Sequence, residues 1–585
     1  MNNLSGSESA EPVSTSAANR QERLMAWLQF PRRVIILLIA YSLALGLIDN
    51  ISALLPGAGL ERLIADDLSA PVSPDESISL RSGTPVAELI GERLPNTLIL
   101  LGAALALALC LALIISLIAA AIDRLEGQAR LPGRLLQWLG RIVAFAGAVA
   151  PVFVLGIMLI FVFAVRLDLL PTSGMMGLTG AGGLADRLRH LLLPALTLAL
   201  FPAVLMAQAI RRQMALRREQ GGASPWPAAL LTGLGALLTQ TGGIVSAASL
   251  VETVFSWPGI GQMVIQAAMF RDYPVLVGVL SSGASLILGG RLAAELFYGL
   301  ERLLAQRRPS LVVSPSLRLK RSRLIWLIVT LALLLFPLGL IAGGLSSDPE
   351  AALDTNLQAR NAPPSAEHPL GTDEVGRDLQ ARLMQGSLVT LTNTGRTAMI
   401  VFLLGLSISL LAGLLASRRR LWAESGADLM LLPADILLFI PLIPGLITII
   451  SLVGPAEPAL SFSALAVIFL IPRIVRVGQA AWQMILEQGA NPPLILIVLG
   501  SLWFTSLFAA FGLITSLDFL GLGTAPPTPS LGSVFAGSFA YLNVSSNAAL
   551  TTGFVIWAVA LVFFLISDAL MSFIRNGEAL VRLNE

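Results

Sequence analysis

Long apolar runs separated by short polar gaps set the pattern of this chain. Apolar stretches fall at 34–55, 98–122, 142–165, 190–210, 228–250 and 274–300, then again at 324–342, 397–416, 429–453, 463–477, 494–517 and 553–574. A helix rises 1.5 Å per residue, so about 20 such residues cross the hydrocarbon core of a bilayer. Threading the runs back and forth places Arg124, Arg130 and Arg134 on one side. Arg211 and Arg212, Arg418, Arg419 and Arg420, Arg473 and Arg476, and Arg575 and Arg582 fall on that same side. This is the positive-inside bias of a cytoplasmic face. The pattern predicts an all-α polytopic membrane protein of about 12 transmembrane helices, with both termini cytoplasmic.

The order of the runs repeats. Residues 1–31 are polar and read as a disordered cytoplasmic tail, and the first apolar run reads as a retained helix, because no small-residue cleavage site follows it. Residues 32–300 and 324–585 form two pseudo-symmetric six-helix halves. Between them 301–323 carries Arg302, Arg307, Arg308, Arg318, Lys320, Arg321 and Arg323 with no apolar face, as a basic cytoplasmic linker does. Local strings echo across the halves. Glu92-Arg93-Leu94 answers Ala381-Arg382-Leu383, and Glu219-Gln220-Gly221 answers Glu487-Gln488-Gly489. A parallel internal repeat of this kind suggests a pathway between the halves.

Composition narrows the chemistry. Of 585 residues 55% are hydrophobic and 13% charged, against about 25% charged in soluble proteins. The single cysteine, Cys110, lies in an apolar run and reads as packing, and His190 and His368 are too far apart to suggest a histidine metal site. The one lysine, Lys320, has no glycine loop before it, so the chain carries no phosphate cradle of its own. No catalytic, cofactor or nucleic-acid role is expected, and lipid is the first partner.

Two sets of polar residues stand out. Glu295, Asp435 and Asp568, with Arg291, lie in or at the ends of apolar runs, where an ionised group costs roughly 2.5–3.5 kcal/mol. They either tie helices together or face a pathway. Pro433, Pro441 and Pro444 are expected to break the ninth span and free carbonyls to line a cavity. The second set is the string His368-Pro369-Leu370-Gly371-Thr372-Asp373-Glu374-Val375-Gly376-Arg377-Asp378. Pro369 and Gly371 make a tight turn, Asp373 and Glu374 can accept from free amides ahead of a helix, and Arg377 and Asp378 can pair locally. On chemistry alone this is a helix-capping loop at a membrane surface.

The whole string, however, resembles the signature that opens the second permease subunit of peptide-type (dipeptide/oligopeptide/nickel) ABC importers. Ser516-Leu517-Asp518-Phe519-Leu520-Gly521-Leu522-Gly523 and Pro526-Pro527-Thr528-Pro529-Ser530 resemble later segments of the same subunit. In the first half, residues 83–97, 150–156, 188–197 and 251–259, and Arg271-Asp272-Tyr273-Pro274, resemble the first permease subunit. The resemblance implies a type I ABC permease-like fold with both subunits fused in one chain. It also implies two separate ABC ATPase subunits and a periplasmic or extracellular solute-binding protein as partners. In that family the loop between the fourth and fifth spans of each subunit holds the EAA coupling helix, which docks on the ATPase. Here both loops are contracted, at 211–227 and 483–493, and only Glu219-Gln220-Gly221 and Glu487-Gln488-Gly489 remain. A lever needs roughly 15 Å of helix, and Asn491-Pro492-Pro493 cannot extend one.

Three readings follow. The first is a fused permease of an importer for peptides or similar small solutes. The second, drawn from the contracted loops, is a permease-derived scaffold or accessory subunit of a larger membrane complex. The third, an ATP-independent carrier, would need a chained proton or ion relay, and the intramembrane acids are scattered.

Overall fold

The computed structural model describes residues 30–49, 78–125, 149–176, 183–219, 226–304, 328–416, 431–453, scattered positions between 470 and 485, and 492–575. In chain order the helices are α1 (Phe30–Asp49), α2 (Val86–Leu125), α3 (Val152–Leu159, widening into a π turn over Ile160–Arg166), α4 (Gly183–Glu219), α5 (Trp226–Thr239), α6 (Thr241–Val254), α7 (Ile260–Met269) and α8 (Tyr273–Leu304). There follow α9 (Ile328–Ser346), α10 (Leu379–Ala416), α11 (Leu431–Leu437), α12 (Leu442–Val453), α13 (Pro492–Phe519), α14 (Leu531–Phe539) and α15 (Ser546–Arg575). Among the described residues extended pairing is confined to two isolated bridges, Ile78 with Pro85 and Thr372 with Asp378. The all-α polytopic expectation holds.

Eight helices are long and apolar enough to span a bilayer, and ten if the bent pairs α5–α6 and α11–α12 each count as one span. The expected third span appears as the shorter helix Val152–Arg166, and the tenth, 463–477, lies largely outside the described residues. The pair α11–α12 bends by 84° at Pro441, where the ring removes a backbone donor and excludes the preceding turn from a straight helix. That break was expected. The 51° bend between α5 and α6 was not, since 228–250 reads as one continuous run.

Helices α2 and α10 are longer than their apolar runs. Helix α2 has 40 residues, roughly 60 Å at 1.5 Å each, against about 30 Å of hydrocarbon. It takes in residues 86–97 ahead of the apolar run, with Pro95 inside it. Its lower part is held by composition: Ala108 and Ala112, spaced by four, are buried in one cluster with Ala199, Ala203 and Ala207 of α4. Small residues at this spacing let two helix backbones approach closely, the packing available where lipid offers no hydrophobic drive between helices. Hydroxyls within helices return their protons to the preceding turn, as Ser116 to the Ala112 carbonyl and Thr197 to that of Leu193, at 2.7 and 2.8 Å. Each such bond keeps its hydroxyl hydrogen paired at apolar depth. Outward faces are hydrocarbon: Ile35, Leu38 and Ile39 of α1, Ile114, Leu117 and Ile118 of α2, and Ile400, Leu403 and Leu404 of α10 are all exposed. Lipid is the solvent that such faces require.

Helix α4 also departs from expectation. The apolar run ends at 210 and the contracted loop is expected over 211–227, but the helix runs on to Glu219. Ala215 to Glu219 contains no glycine or proline to end it, so the turns after the arginines stay helical.

Candidate functional site

The string His368–Asp378 forms a compact cap over the first turn of α10. Asp378 Oδ1 accepts from the Ala381 amide at 2.7 Å, which is N-capping, and its Oδ2 lies 2.8 Å from His368 Nδ1. Asp373 sits at the centre. Its Oδ1 accepts from the amides of Val375 and Arg377 at 3.0 and 2.9 Å, and its Oδ2 takes Arg377 Nε at 2.7 Å and the Arg382 guanidinium. Burial pushes the Asp373 carboxyl up, but the Arg377 amide, the Arg382 charge, the Arg377 side chain and the Val375 amide outweigh it and hold the group below the usual carboxylate range. Glu374 Oε1 pairs with Arg377 at 3.2 Å. Gly376 has φ of +80°, and a Cβ there would overlap the Asn356 carbonyl, so no other residue fits. The Leu370 carbonyl accepts from Asn547 at the start of α15, at 2.6 Å.

A smaller counterpart precedes α2. The Ser79 hydroxyl and the Leu80 amide donate to Asp272, which lies just before α8. Both caps are therefore tied to the opening residues of a later long helix.

Deeper in the protein a second correspondence joins α2, α6 and α7 on one side and α10, α13 and α14 on the other. Thr97 of α2 accepts the first amide of α7, Ile260, at 2.9 Å, and Thr390 of α10 accepts the first amide of α14, Leu531, at 3.0 Å. A buried acid lies beneath each junction. Glu252, fully buried, accepts from the Thr97 hydroxyl at 2.7 Å and the Gln262 amide at 2.9 Å. Asp518, also buried, accepts from the Thr524 amide at 2.7 Å. Glycines make the room: side chains at Gly259 and Gly261 would collide with Glu252, and at Gly523 and Gly532 with Asp518. Helix α6 continues to Val254, Trp257 is buried, and its Nε1 donates to the Asn96 carbonyl at 3.0 Å. Neither short helix was foreseen. The signal available was the Ser530–Ser533 capping box that opens α14.

These elements meet along a seam between α1–α8 and α9–α15. On one side Phe153 of α3 stacks on Phe519 with centroids 4.7 Å apart and meets Phe535 edge-on at 5.7 Å. On the other, the break before α12 faces α6 and α8. Pro441 packs into the space left by Gly283, and the Leu442 amide, freed by the bend, donates to Ser246 Oγ at 2.8 Å. Phe439 lies below, edge-on to Tyr41 at 6.0 Å and under Arg291 at 5.0 Å. Thr97, Ser249, Glu252, Gly283, Pro441 and Pro444 surround a cavity of about 10 Å³, room for one water at most. In this conformation the seam is shut there.

Residues 226–307, which cover α5 to α8, match the family of binding-protein-dependent transport system inner membrane components. The oligopeptide transport system permease protein AppB of Bacillus subtilis (strain 168) is 30% identical over 240 residues, 38% of this chain and 72% of that protein. The chain belongs to the peptide-type ABC permease family. The glutathione transport system permease protein GsiC of Escherichia coli (strain K12) is 31% identical over 230 residues, 36% of this permease and 67% of its own length. A putative peptide permease protein of Brucella suis biovar 1 is 30% identical over 225 residues, 36% of this chain and 66% of the relative.

Within the permease the intramembrane acids Glu295, Asp435 and Asp568 lie on three different helices, α8, α11 and α15. Glu295 of α8 pairs with Arg33 of α1 at 3.4 Å and lies 3.9 Å from Arg302, which fastens α1 to α8. Asp435 is buried in α11, whereas Asp568 is partly buried in α15. Of the coupling-loop remnants only the backbone of Glu219 is described, as the last residue of α4. Gln220, Gly221, Glu487, Gln488 and Gly489 lie outside the described residues.

Proposed function

We propose that this chain is the membrane pathway of an ABC importer for peptides or similar small solutes. In this reading residues 32–300 and 324–585 are two permease halves joined by the basic linker 301–323, with both chain ends cytoplasmic. Two ATPase subunits and a solute-binding protein complete the machine. The observation that carries it is a repeated junction, in which a threonine of a long helix accepts the first amide of a short one, Thr97 from Ile260 and Thr390 from Leu531, with a buried acid, Glu252 or Asp518, packed against the glycines nearby. Burying an acid at apolar depth is costly, so its occurrence beside both junctions supports two copies of one ancestral unit. The names of the relatives, oligopeptide and glutathione permeases, support the solute class.

The contracted loops were the ground for the scaffold reading. Helix α4 narrows that ground without removing it, because from Arg211 to Glu219 the backbone stays helical for roughly 12 Å at 1.5 Å per residue, short of the roughly 15 Å of a lever. Tagged full-length protein, solubilised mildly, tests the assignment. Co-purification of two ATPase subunits, followed by ATP-dependent uptake of a labelled peptide in proteoliposomes supplied with the binding protein, is the expected result. Recovery of an unrelated enzyme complex without ATPases would overturn it.

A further inference from the structure

Helix α10 meets its surroundings along two stretches that differ in kind. Between Ala381 and Leu391 no residue is exposed, because α9 and α14 close over that part. Leu388 fills the space left by Gly344, Gln385 donates to the Gly344 and Ser347 carbonyls at 2.9 and 3.0 Å, and Thr390 takes the Leu531 amide. Further along, Arg396, Met399, Ile400, Leu403, Leu404 and Leu411 are exposed. Steps of three, four and seven put them on one face of the helix. All but the first are apolar, which makes this face a lipid contact, and the first is a cation.

Other arginines beside the spans have partners within the protein. Arg33 is paired with Glu295 and Arg382 with Asp373, and Arg291 stands over the Phe439 ring. Arg396 has no hydrogen bond or ion pair among the described residues, and α10 holds no acidic residue.

The matched threonine junctions set its depth. Arg396 lies roughly 9 Å along the helix beyond Thr390, and the residue at the same step beyond Thr97 is Ala103, inside the apolar run 98–122. Leu98 and Ile99, next to Thr97, are already exposed apolar residues. By that register Arg396 is rooted below the level at which lipid contact begins, where an ionised group needs either an anion or a route to the headgroups. Both lie in one direction. Side chains on a helix lean toward its N-terminus, so the Arg396 stem runs back along the stripe toward the exposed Thr392 and the headgroup level. Room flanks that route: outside the helix's own turn, no atom of a described residue lies within 4 Å of where a Cβ on Gly395 would stand. A guanidinium offers its donors as a planar fork that matches the oxygens of a phosphate.

We propose that Arg396 holds the phosphate of one anionic phospholipid, of the phosphatidylglycerol type, in the leaflet around the N-terminal end of α10. The acyl chains of that lipid then lie along Met399, Ile400, Leu403 and Leu404. The site belongs to the second half alone, because Ala103 offers no charge at the matching register. It depends on the lipid-facing stripe and not on which solute the chain carries.

Local lipid composition tests it in the full-length chain. In a Cys110→Ser background, Thr392→Cys carries a bimane label, and the protein is placed in phosphatidylcholine nanodiscs. Quenching by added brominated phosphatidylglycerol, compared with brominated phosphatidylcholine, gives the relative association of the two lipids at that point. Phosphatidylglycerol should be favoured about fivefold, the effect of one basic side chain at a lipid surface. Arg396→Leu should abolish the preference, and Arg396→Lys, which keeps the charge without the fork, should retain most of it. A label on Ile99→Cys, at the register matching Thr392 and with Arg396 unchanged, should show no preference. Equal preference at 392 and 99, or a preference at 392 that survives Arg396→Leu, overturns the proposal. So does the absence of quenching by either lipid at 392, since a segment of protein would then cover the stripe.

Discussion

Replacing Asp373 with asparagine should open the cap over α10 without altering any lipid-facing residue. Arg382 is 7% exposed, its guanidinium meets Asp373, and its next acidic neighbour, Glu374 Oε1, is 3.9 Å away. Removing one partner of a buried ion pair costs about 3–5 kcal/mol. Asparagine keeps an acceptor for the Val375 and Arg377 amides, and Glu374 takes over part of the Arg382 charge, so the lower end, about 3 kcal/mol, applies. That is on the order of a hundredfold rise in the cap-opening equilibrium. Amide exchange over residues 371–379, followed by mass spectrometry in nanodiscs, reads it directly. Asp373→Asn combined with Arg382→Met removes both buried charges and should recover most of the loss, because the single variant suffers from the stranded guanidinium. The sign with pH follows from the depressed Asp373 value. Its contribution is fully present above the ordinary carboxylate range near 4 and is lost as pH falls through the folded value. Corrected for intrinsic rates, wild-type exchange in this segment should therefore rise below about pH 4, and that of Asp373→Asn should not. Exchange in Asp373→Asn within threefold of wild type would refute the buried-pair account.

Other outcomes are expected. Gly376→Ala should fail to accumulate as folded protein, since its Cβ meets the Asn356 carbonyl, whereas Gly83→Ala, at φ +66° with open space around it, should lose only about 1–2 kcal/mol, read as a modest fall in Tm. Thr390→Val strands the buried Leu531 amide and should destabilise by about 1–3 kcal/mol; Thr97→Val should cost more in the same thermal assay, because the Ile260 amide and the Glu252 carboxylate both lose a partner. Glu219→Arg with Glu487→Arg should abolish ATPase co-purification if these remnants dock the ATPases, and unchanged recovery of ATPases would rule out that role.

Apolar run length and arginine placement were enough to establish a polytopic helical protein, because in lipid every backbone group must be satisfied within its own segment and only helices do so here. Pro441 announced its break for the same local reason, a missing donor and a steric block that any surroundings would feel. The capping role of Asp378 and the pairing of Arg377 with acids three and four residues away were likewise readable, since the partners lie within a turn of one another. Other features depended on residues distant in sequence. Glu252 lies 155 residues from Thr97, and nothing in its own string marks it as a buried acid until α2 and α7 close over it. Ser246 is one serine among many until the bend at Pro441, 196 residues from it in the case of Leu442, presents a free amide. The two-sided seam is of the same kind: a phenylalanine looks alike whether it faces lipid or another ring, and only the packed helices decide which.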